Sequence, residues 1–479
     1  MMRASAAVEK FGVPTASLVL QGFVPMAQLT SEGQGMPNLP IAMIPGNVDL
    51  KTTQEINETI KNVTLDMTIK SLTVQPAEGK LKKIDPDPQD IVFKGTFDEV
   101  NTFFYEKEWR DGLPIVPPTK EKAYKFLKFT NRSPDEVIGV LPPDGRRGTV
   151  WNVAVNGVMA GCRPEYMPVL LAIVEAMADP KMQAQYLGHT PGSETLITIN
   201  GPIIKDLGFN YEQGALRVGF QANDSIGRFW RLYLRNVAGF LPHKTDKATF
   251  GNTFRVVLAE NEDALAKIGW QPLSADVGFK AGDNLITVRN YEGGGVVHQV
   301  NGTTAKEVTP LLSYQLVNVL GGLSMAGGNW EGRCSNRPTL VITPCLAEII
   351  AKSGWSKKDL KEHLYQEARI TARQAEFSQM RYIMPTEKPS PAGLYCDWVK
   401  AGNLPNDFCK STDPDRLLPI VCKPDDFQII VSGDPVRNNA YVFAWSAFTA
   451  GVSKKIDLPT DWSKLLKEVK EKASPYVRQ

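Results

Sequence analysis

The stretch from Gly148 to Pro180, GTVWNVAVNGVMAGCRPEYMPVLLAIVEAMADP, constrains the fold more than any other part of the chain. Thr149 is an N-cap residue type, and the run from Val150 to Ala160 is almost wholly apolar, which predicts a buried helix. Gly161 supplies its stop. Pro164 and Glu165 suit the first turn of a second helix, whose apolar face is Met167, Leu170, Leu171, Val174 and Met177. Cys162 falls in the joint, ahead of a helix N-terminus and beside Arg163. Both features favour a thiolate; the other reading of such a cysteine is a small buried hydrophobe.

Around this pair of helices, 479 residues leave room for two or three domains. The 54 Lys and Arg nearly balance the 52 Asp and Glu, and a net charge of +2 argues against a general nucleic-acid binder. Val13 to Leu29 is apolar in patches, but Pro14, Gln21 and Pro25 interrupt it and no basic leader with a cleavage site accompanies it. Neither a signal peptide nor a membrane span is expected, and a cytoplasmic protein is. The cysteines, Cys162, Cys334, Cys345, Cys396, Cys409 and Cys422, form no CxxC and no zinc spacing with histidine, and are expected to be reduced. The histidines His189, His243, His298 and His363 are too scattered for a histidine-built metal site; carboxylate binding of a divalent ion stays open.

The chain reads as α/β. Residues 1–75 alternate helix and strand as a small parallel-sheet unit, incomplete because no strand precedes its first helix. Residues 76–95, rich in proline and charge, form a linker, and residues 96–479 a larger α/β domain carrying the AGCRPEY motif. Within that domain the strip Asp111 to Thr119, DGLPIVPPT, is stiff and extended, either a connector or the wall of a site. Strands are predicted at Thr195 to Asn200, Asn252 to Leu258, Leu340 to Thr343 and Phe427 to Ser432. The glycine clusters Gly293 to Gly295 and Gly321 to Gly328 read as loops and match no phosphate-binding fingerprint.

Candidate binding groups follow from these placements. The turn Asp144 to Gly148 sets Arg146 and Arg147 beside the N-terminus of the Thr149 helix, where exposed amides and arginines together suit a carboxylate or phosphate. A solvated basic turn is the alternative. Asn223 and Asp224 cap a further helix, on which Arg228 is a candidate anion ligand while Arg231 and Arg235 form a flank. Asn200 ends one strand. Glu260, Asn261 and Glu262 end another, where open α/β sheets hold ligands. If that strand continues, Glu260 and Glu262 share a face and either can move a proton; otherwise they form a capping turn.

The run VAVNGVMAGCRPEYMPVLLAIVEAM, with DGLPIVPPT, NDSIGRFWRLYLRNVAG, AENED and VITPCLAEIIAKSGWSKKDL, resembles the UGSC family of (seleno)proteins, which are similar to the selenoprotein B component of glycine and betaine reductases. The likeness spans roughly residues 5–365 and the strand near Ile429. It implies a Sec/Cys-Gly-Ser-Cys motif a few residues before the helix that leads to Gly12-Val13-Pro14-Thr15; the sequence does not contain it. The resemblance therefore implies either a start upstream of Met1, past an in-frame selenocysteine codon, or a redox pair on a separate small subunit, or its loss. Cys345-Leu346 departs from the family pattern, which implies an acidic residue and a histidine there.

The leading expectation is a thiol- or selenol-dependent oxidoreductase acting on a small anionic substrate. Cys162 would be the resolving or assisting thiol, Arg146, Arg163, Asn200, Asn223, Arg228 and Asn261 would bind, and Glu260 or Glu262 would move protons. No cofactor is expected within the chain; a selenocysteine or cysteine pair is expected upstream or in a partner. A small redox subunit or thioredoxin-like donor and an oligomer are the expected partners. The alternatives are a non-redox lyase or hydrolase using Glu260 and Glu262, and a non-catalytic subunit of a heteromeric reductase.

Overall fold

The computed structural model describes residues 1–74, 86–143, 145–254, 256–320, 334–380, 389–445 and 451–472. Residues 76–85 of the expected linker, and the cluster Gly321 to Gly328, lie outside these residues. The N-terminal unit follows the predicted alternation. α1 (Met2–Glu9), β1 (Ser17–Leu20), α2 (Val24–Gly33) and β2 (Ile41–Ile44) precede α3 (Thr53–Thr59) and α4 (Leu65–Thr73), which are joined by a π-helical turn. β1 and β2 pair in parallel, with Ser17 opposite Ile41 and Leu20 opposite Ile44. Met2, Ala6, Val19, Ala27 and Leu39 form its small core.

The larger part opens with α5 (Phe97–Glu106), α6 (Lys120–Leu127) and an antiparallel ribbon of β3 (Val137–Leu141) and β4 (Arg146–Thr149). α7 (Val150–Ala160) and α8 (Met167–Ala178) are the two helices predicted from the Gly148–Pro180 stretch. Thr149 and Asn152 make a reciprocal capping box, and Gly161 adopts φ +81°, the left-handed value that ends a helix. All five residues of the predicted α8 face are buried.

The remaining elements wind around one sheet. β5 (Glu194–Asn200) leads to α9 (Ile203–Leu207), α10 (Gln221–Tyr233), β6 (Leu258–Ala259), α11 (Glu262–Ile268) and α12 (Leu273–Asp276). β7 (Leu285–Val297), α13 (Ala305–Leu320), β8 (Thr339–Ile342), α14 (Pro344–Lys352) and α15 (Lys357–Glu367) follow. A side ribbon of β9 (Arg369–Thr371) and β10 (Leu417–Pro419) flanks α16 (Ala372–Met380) and α17 (Leu394–Lys400). β11 (Gln428–Val431), β12 (Ala440–Trp445), β13 (Val452–Lys455) and α18 (Trp462–Lys472) complete the described chain. The strand order is β11-β8-β12-β7-β5-β6, with β13 also on β7. β5–β6 and β8–β11 are parallel and the other pairs antiparallel, so the sheet is mixed.

Side-chain alternation along these strands divides the core. Leu196, Leu258, Tyr291, Val341, Ile430 and Phe443 meet on the inner face of the curled sheet. Ile197, Ile199, Ile286 and Val288 face outward into the cluster that contains α7, α8 and α10. Leu340, Ile342, Ile429 and Val442 pack with α13, α14 and α15. The Asn261 N–H donates to the Val431 carbonyl at 2.7 Å, which brings the ends of β6 and β11 together and rolls the sheet into a half-barrel. The chain is α/β.

Several expectations are corrected. The strand expected over Asn252 to Leu258 contains only Leu258 and Ala259, because Asn223 takes both backbone groups of Val257: its carbonyl accepts the Val257 N–H at 3.0 Å and its Nδ2 donates to the Val257 carbonyl at 2.7 Å. Gly293 to Gly295 lie in β7 rather than in a loop. Gly294 has φ +139°, and a Cβ there would collide with the Val442 carbonyl of β12. Four of the six cysteines are paired rather than reduced, as Cys334–Cys422 and Cys396–Cys409. The fold brings their Cα atoms to 5.8 and 4.9 Å, within disulfide reach.

Candidate functional site

Cys162 is the first predicted site residue that the fold places. The left-handed turn at Gly161 swings its N–H back onto the Gly157 carbonyl at 3.0 Å and sends the residue toward α10. There Ser225 and Arg228 are its polar neighbours, and the side chain is buried. Burial pushes the thiol up to about 12; the Ser225 hydrogen bond and the Arg228 charge pull the other way and are outweighed. The expected thiolate is therefore corrected to a neutral buried thiol. Arg228 is itself occupied. Its Nε and Nη2 each reach Asp111 at 2.8 Å, and Nη2 also donates to the Pro114 carbonyl at 2.9 Å. Arg163 sits 2.7 Å from the buried Glu165 carboxylate and lies over the Tyr166 ring. Neither guanidinium is presented as an open anion site.

The predicted carboxylates form a second assembly. Because β5 and β6 run in parallel, Asn200 and Glu260 emerge side by side at their carboxyl ends. Asn200 Nδ2 donates to Glu260 at 2.6 Å and to Glu262 at 2.9 Å, and the Gly201 N–H reaches the same Glu262 oxygen at 2.8 Å. The Leu273 N–H donates to Glu260 Oε2 at 2.7 Å, while Lys357 Nζ lies 3.7 Å from Oε1 and 3.0 Å from Asp276. Burial raises the Glu260 pKa, with Lys357 the largest opposing influence. Glu262 begins α11 rather than extending the strand, so the two carboxylates do not share a strand face. Asn261 caps α11 through the Ala264 N–H at 2.9 Å. Asn223 lies inside the first turn of α10 and is spent on Asn210 and Val257. These residues knot β5, β6, α12 and α15 together, with Asn200 Nδ2 and the Glu260 carboxylate spent on the fold while Asn200 Oδ1 is buried without a partner.

Open space lies elsewhere. A cleft of about 1020 Å³ runs between α5, the extended strip before α6, α7 and the segment 86–95. Its floor includes Trp151, Val155 and Met159, spaced four apart on one face of α7. Phe97, Val100 and Phe104 of α5 and Trp109 add further apolar wall. Pro117 and Pro118 bound it, so the proline strip does wall a cavity. The strip is held there by Asn101, whose amide acts as a surrogate strand: Oδ1 accepts the Ile115 N–H at 2.8 Å and Nδ2 donates to the Ile115 carbonyl at 3.3 Å. The Val116 N–H adds a bond to the Met159 carbonyl at 3.2 Å.

The charged lining is mainly positive: Arg146 and Arg147 from β4, Lys120 and Lys122 from the start of α6, and Lys94, against Asp87 and Asp90. Arg146 Nη1 donates to the Asn236 carbonyl at 3.1 Å, and Asn236 Nδ2 to Asn156 Oδ1 at 2.8 Å. The amides expected to help the arginines are not available. The N–H groups of Thr149 and Asn152 are used in the capping box, that of Val150 by the Glu136 carbonyl and that of Trp151 by the Pro134 carbonyl. On the far side, Gln89 accepts from the Tyr124 hydroxyl at 3.0 Å and Phe93 stacks on Phe103 at 4.6 Å, holding the covering segment to α5 and α6.

Of the predicted site residues, only Arg146 lines this cleft; Cys162, Arg163, Asn200, Asn223, Arg228, Glu260, Asn261 and Glu262 do not. Sequence reading missed Trp109, Trp151, Asn152 and Asn156. The four-residue spacing of Trp151, Val155 and Met159 was visible, but it is the same signal that a core helix gives. Among the described residues, no group of three or more His, Cys, Asp or Glu side chains gathers to hold a metal ion, and no helix is long and apolar enough to cross a membrane.

Comparison with known proteins adds one finding. The sequence model of the UGSC family matches residues 1–74, the α/β unit of β1 and β2. No curated protein and no solved structure matches the chain. The cleft, Cys162 and the carboxylate knot lie outside the matched stretch. Residues 1–74 are thus similar to the UGSC family, and the match covers that N-terminal unit alone.

Proposed function

We propose that the chain holds an organic anion in the α5–α7 cleft as the substrate-binding part of a thiol- or selenol-dependent oxidoreductase. The observation that carries the anion reading is the pairing of Arg146 and Arg147 with a large apolar-walled cavity. The match of residues 1–74 to the UGSC family, named for a chalcogen pair, supports the redox part. The free thiols here are Cys162, buried and neutral, and Cys345, partly buried near the start of α14. Neither lines the cleft.

The reacting pair is therefore a Sec/Cys-Gly-Ser-Cys segment or a small redox subunit. It gives the substrate two electrons and two protons, closing to a selenenylsulfide or disulfide, and a thioredoxin-like dithiol donor reopens it. A lyase or hydrolase built on Glu260 and Glu262 loses support, because Glu260 is buried among backbone and side-chain donors and one Glu262 oxygen is held by Asn200 and the Gly201 N–H. The disulfides support folding where thiols oxidise, which weighs against a cytoplasmic location. Titration of organic carboxylates, followed by tryptophan fluorescence, tests the binding role. Arg146→Ala with Arg147→Ala is expected to weaken binding at least tenfold, and unchanged affinity would remove the proposal's basis.

A further inference from the structure

Resting on that reading, we infer that the cleft's ligand is a bulky amphipathic anion, an acyl or aryl carboxylate with a long apolar body, rather than a small anion. Size is the first argument. At about 1020 Å³ the cleft lies at the upper end of the roughly 300–1,000 Å³ typical of drug-sized ligand sites, so an amino-acid-sized substrate would leave most of its apolar wall wet.

Layout is the second. Arg146 and Arg147 immediately precede the N-terminus of α7, while the apolar row Trp151, Val155 and Met159 runs away from that end along the helix. Eight residues of helix separate Trp151 from Met159, a floor roughly 12 Å long at 1.5 Å per residue. Cations bordering an apolar trough of that length, Arg146 and Arg147 on β4 and Lys120 and Lys122 on α6, complement a molecule that joins a charged head to an extended apolar body.

Desolvation supplies the third. A small carboxylate at Arg146 and Arg147 keeps solvent around it and gains little over bulk water, because exposed ion pairs are worth at most about 1 kcal/mol. A tail that fills the trough expels that water and adds apolar burial of about 0.8 kcal/mol per methylene. The ligand's affinity therefore resides in its body, and the arginines set its direction.

The test is a chain-length series on the intact protein: acetate, butyrate, hexanoate, octanoate and decanoate, with octanol as the uncharged control. Tryptophan fluorescence and calorimetry are the readouts. Affinity is expected to rise by up to about fourfold per methylene until the trough is full, with octanol at least tenfold weaker than octanoate. Val155→Trp narrows the trough and is expected to cost octanoate at least tenfold while sparing butyrate, which also reports that the variant folds. Affinity flat in chain length, or highest for the shortest anion, overturns this inference while leaving anion binding intact if Arg146→Ala still weakens it. Binding of no carboxylate at all would remove both.

Discussion

The Cys162 thiol lies between the attraction of Arg228 and the cost of ionising a sulfur inside the core. The second prevails because Asp111 already neutralises Arg228 through two 2.8 Å contacts. A thiol raised to about 12 carries almost no thiolate near neutrality, and its reactivity grows only as pH approaches that value. Alkylation of the native protein at roughly pH 8 should therefore modify Cys345 and spare Cys162. Unfolding without reductant should release two thiols in all and reduction six, by intact mass; rapid native labelling of Cys162 would contradict the assignment. At the carboxylate knot, Glu260→Ala leaves the buried Leu273 N–H without its acceptor while Lys357 keeps Asp276 and Asn200 keeps Glu262, and should cost roughly 1–3 kcal/mol in urea unfolding while cleft binding is kept. The position of Cys162 at a helix joint was legible from Gly161 and Pro164. Its ionisation was not, because Ser225 and Arg228 reach it, and Asp111 reaches Arg228, only through the fold.

Among the elements, α7 and α8 were the most readable, since an N-cap, an apolar run and a stop glycine all point to one conformation. β7 was less so. Its glycines signal turns when read locally, and only the approach of β12, which leaves no room for a Cβ opposite Val442, explains why a strand needs Gly294. Gly294→Ala is accordingly expected to lose about 2 kcal/mol or more, measured as a shift in unfolding midpoint; a neutral substitution would mean the β7–β12 pairing is wrong. The proline strip depends on Asn101 in the same non-local way. Asn101→Ala leaves the Ile115 N–H buried without a partner, at a cost of about 1–3 kcal/mol, and should weaken ligand binding more than an equally destabilising change at the carboxylate knot. β6 begins only at Leu258 because Asn223, distant in sequence, takes the backbone groups of Val257, and nothing local to Asn252–Leu258 announces this.

At the scale of the molecule, the N-terminal unit carries the family signature and the larger half-barrel domain carries the open cavity. The cleft draws on residues 86–97, 100–122, 146–159 and 236–237, and each segment alone reads as linker, connector, core helix or helix end. That dispersion is why Arg146 and Arg147 were recognisable as a basic turn while Trp109 and Trp151 passed as packing. The proposed ligand site is this cleft. Photo-crosslinking with a diazirine-bearing long-chain carboxylate, followed by peptide mapping, tests it most directly. The prediction is label on peptides containing Phe97 to Trp109 and Trp151 to Met159, competed by octanoate. Label concentrated instead at Cys162 or around Asn200, Glu260 and Glu262 would contradict it.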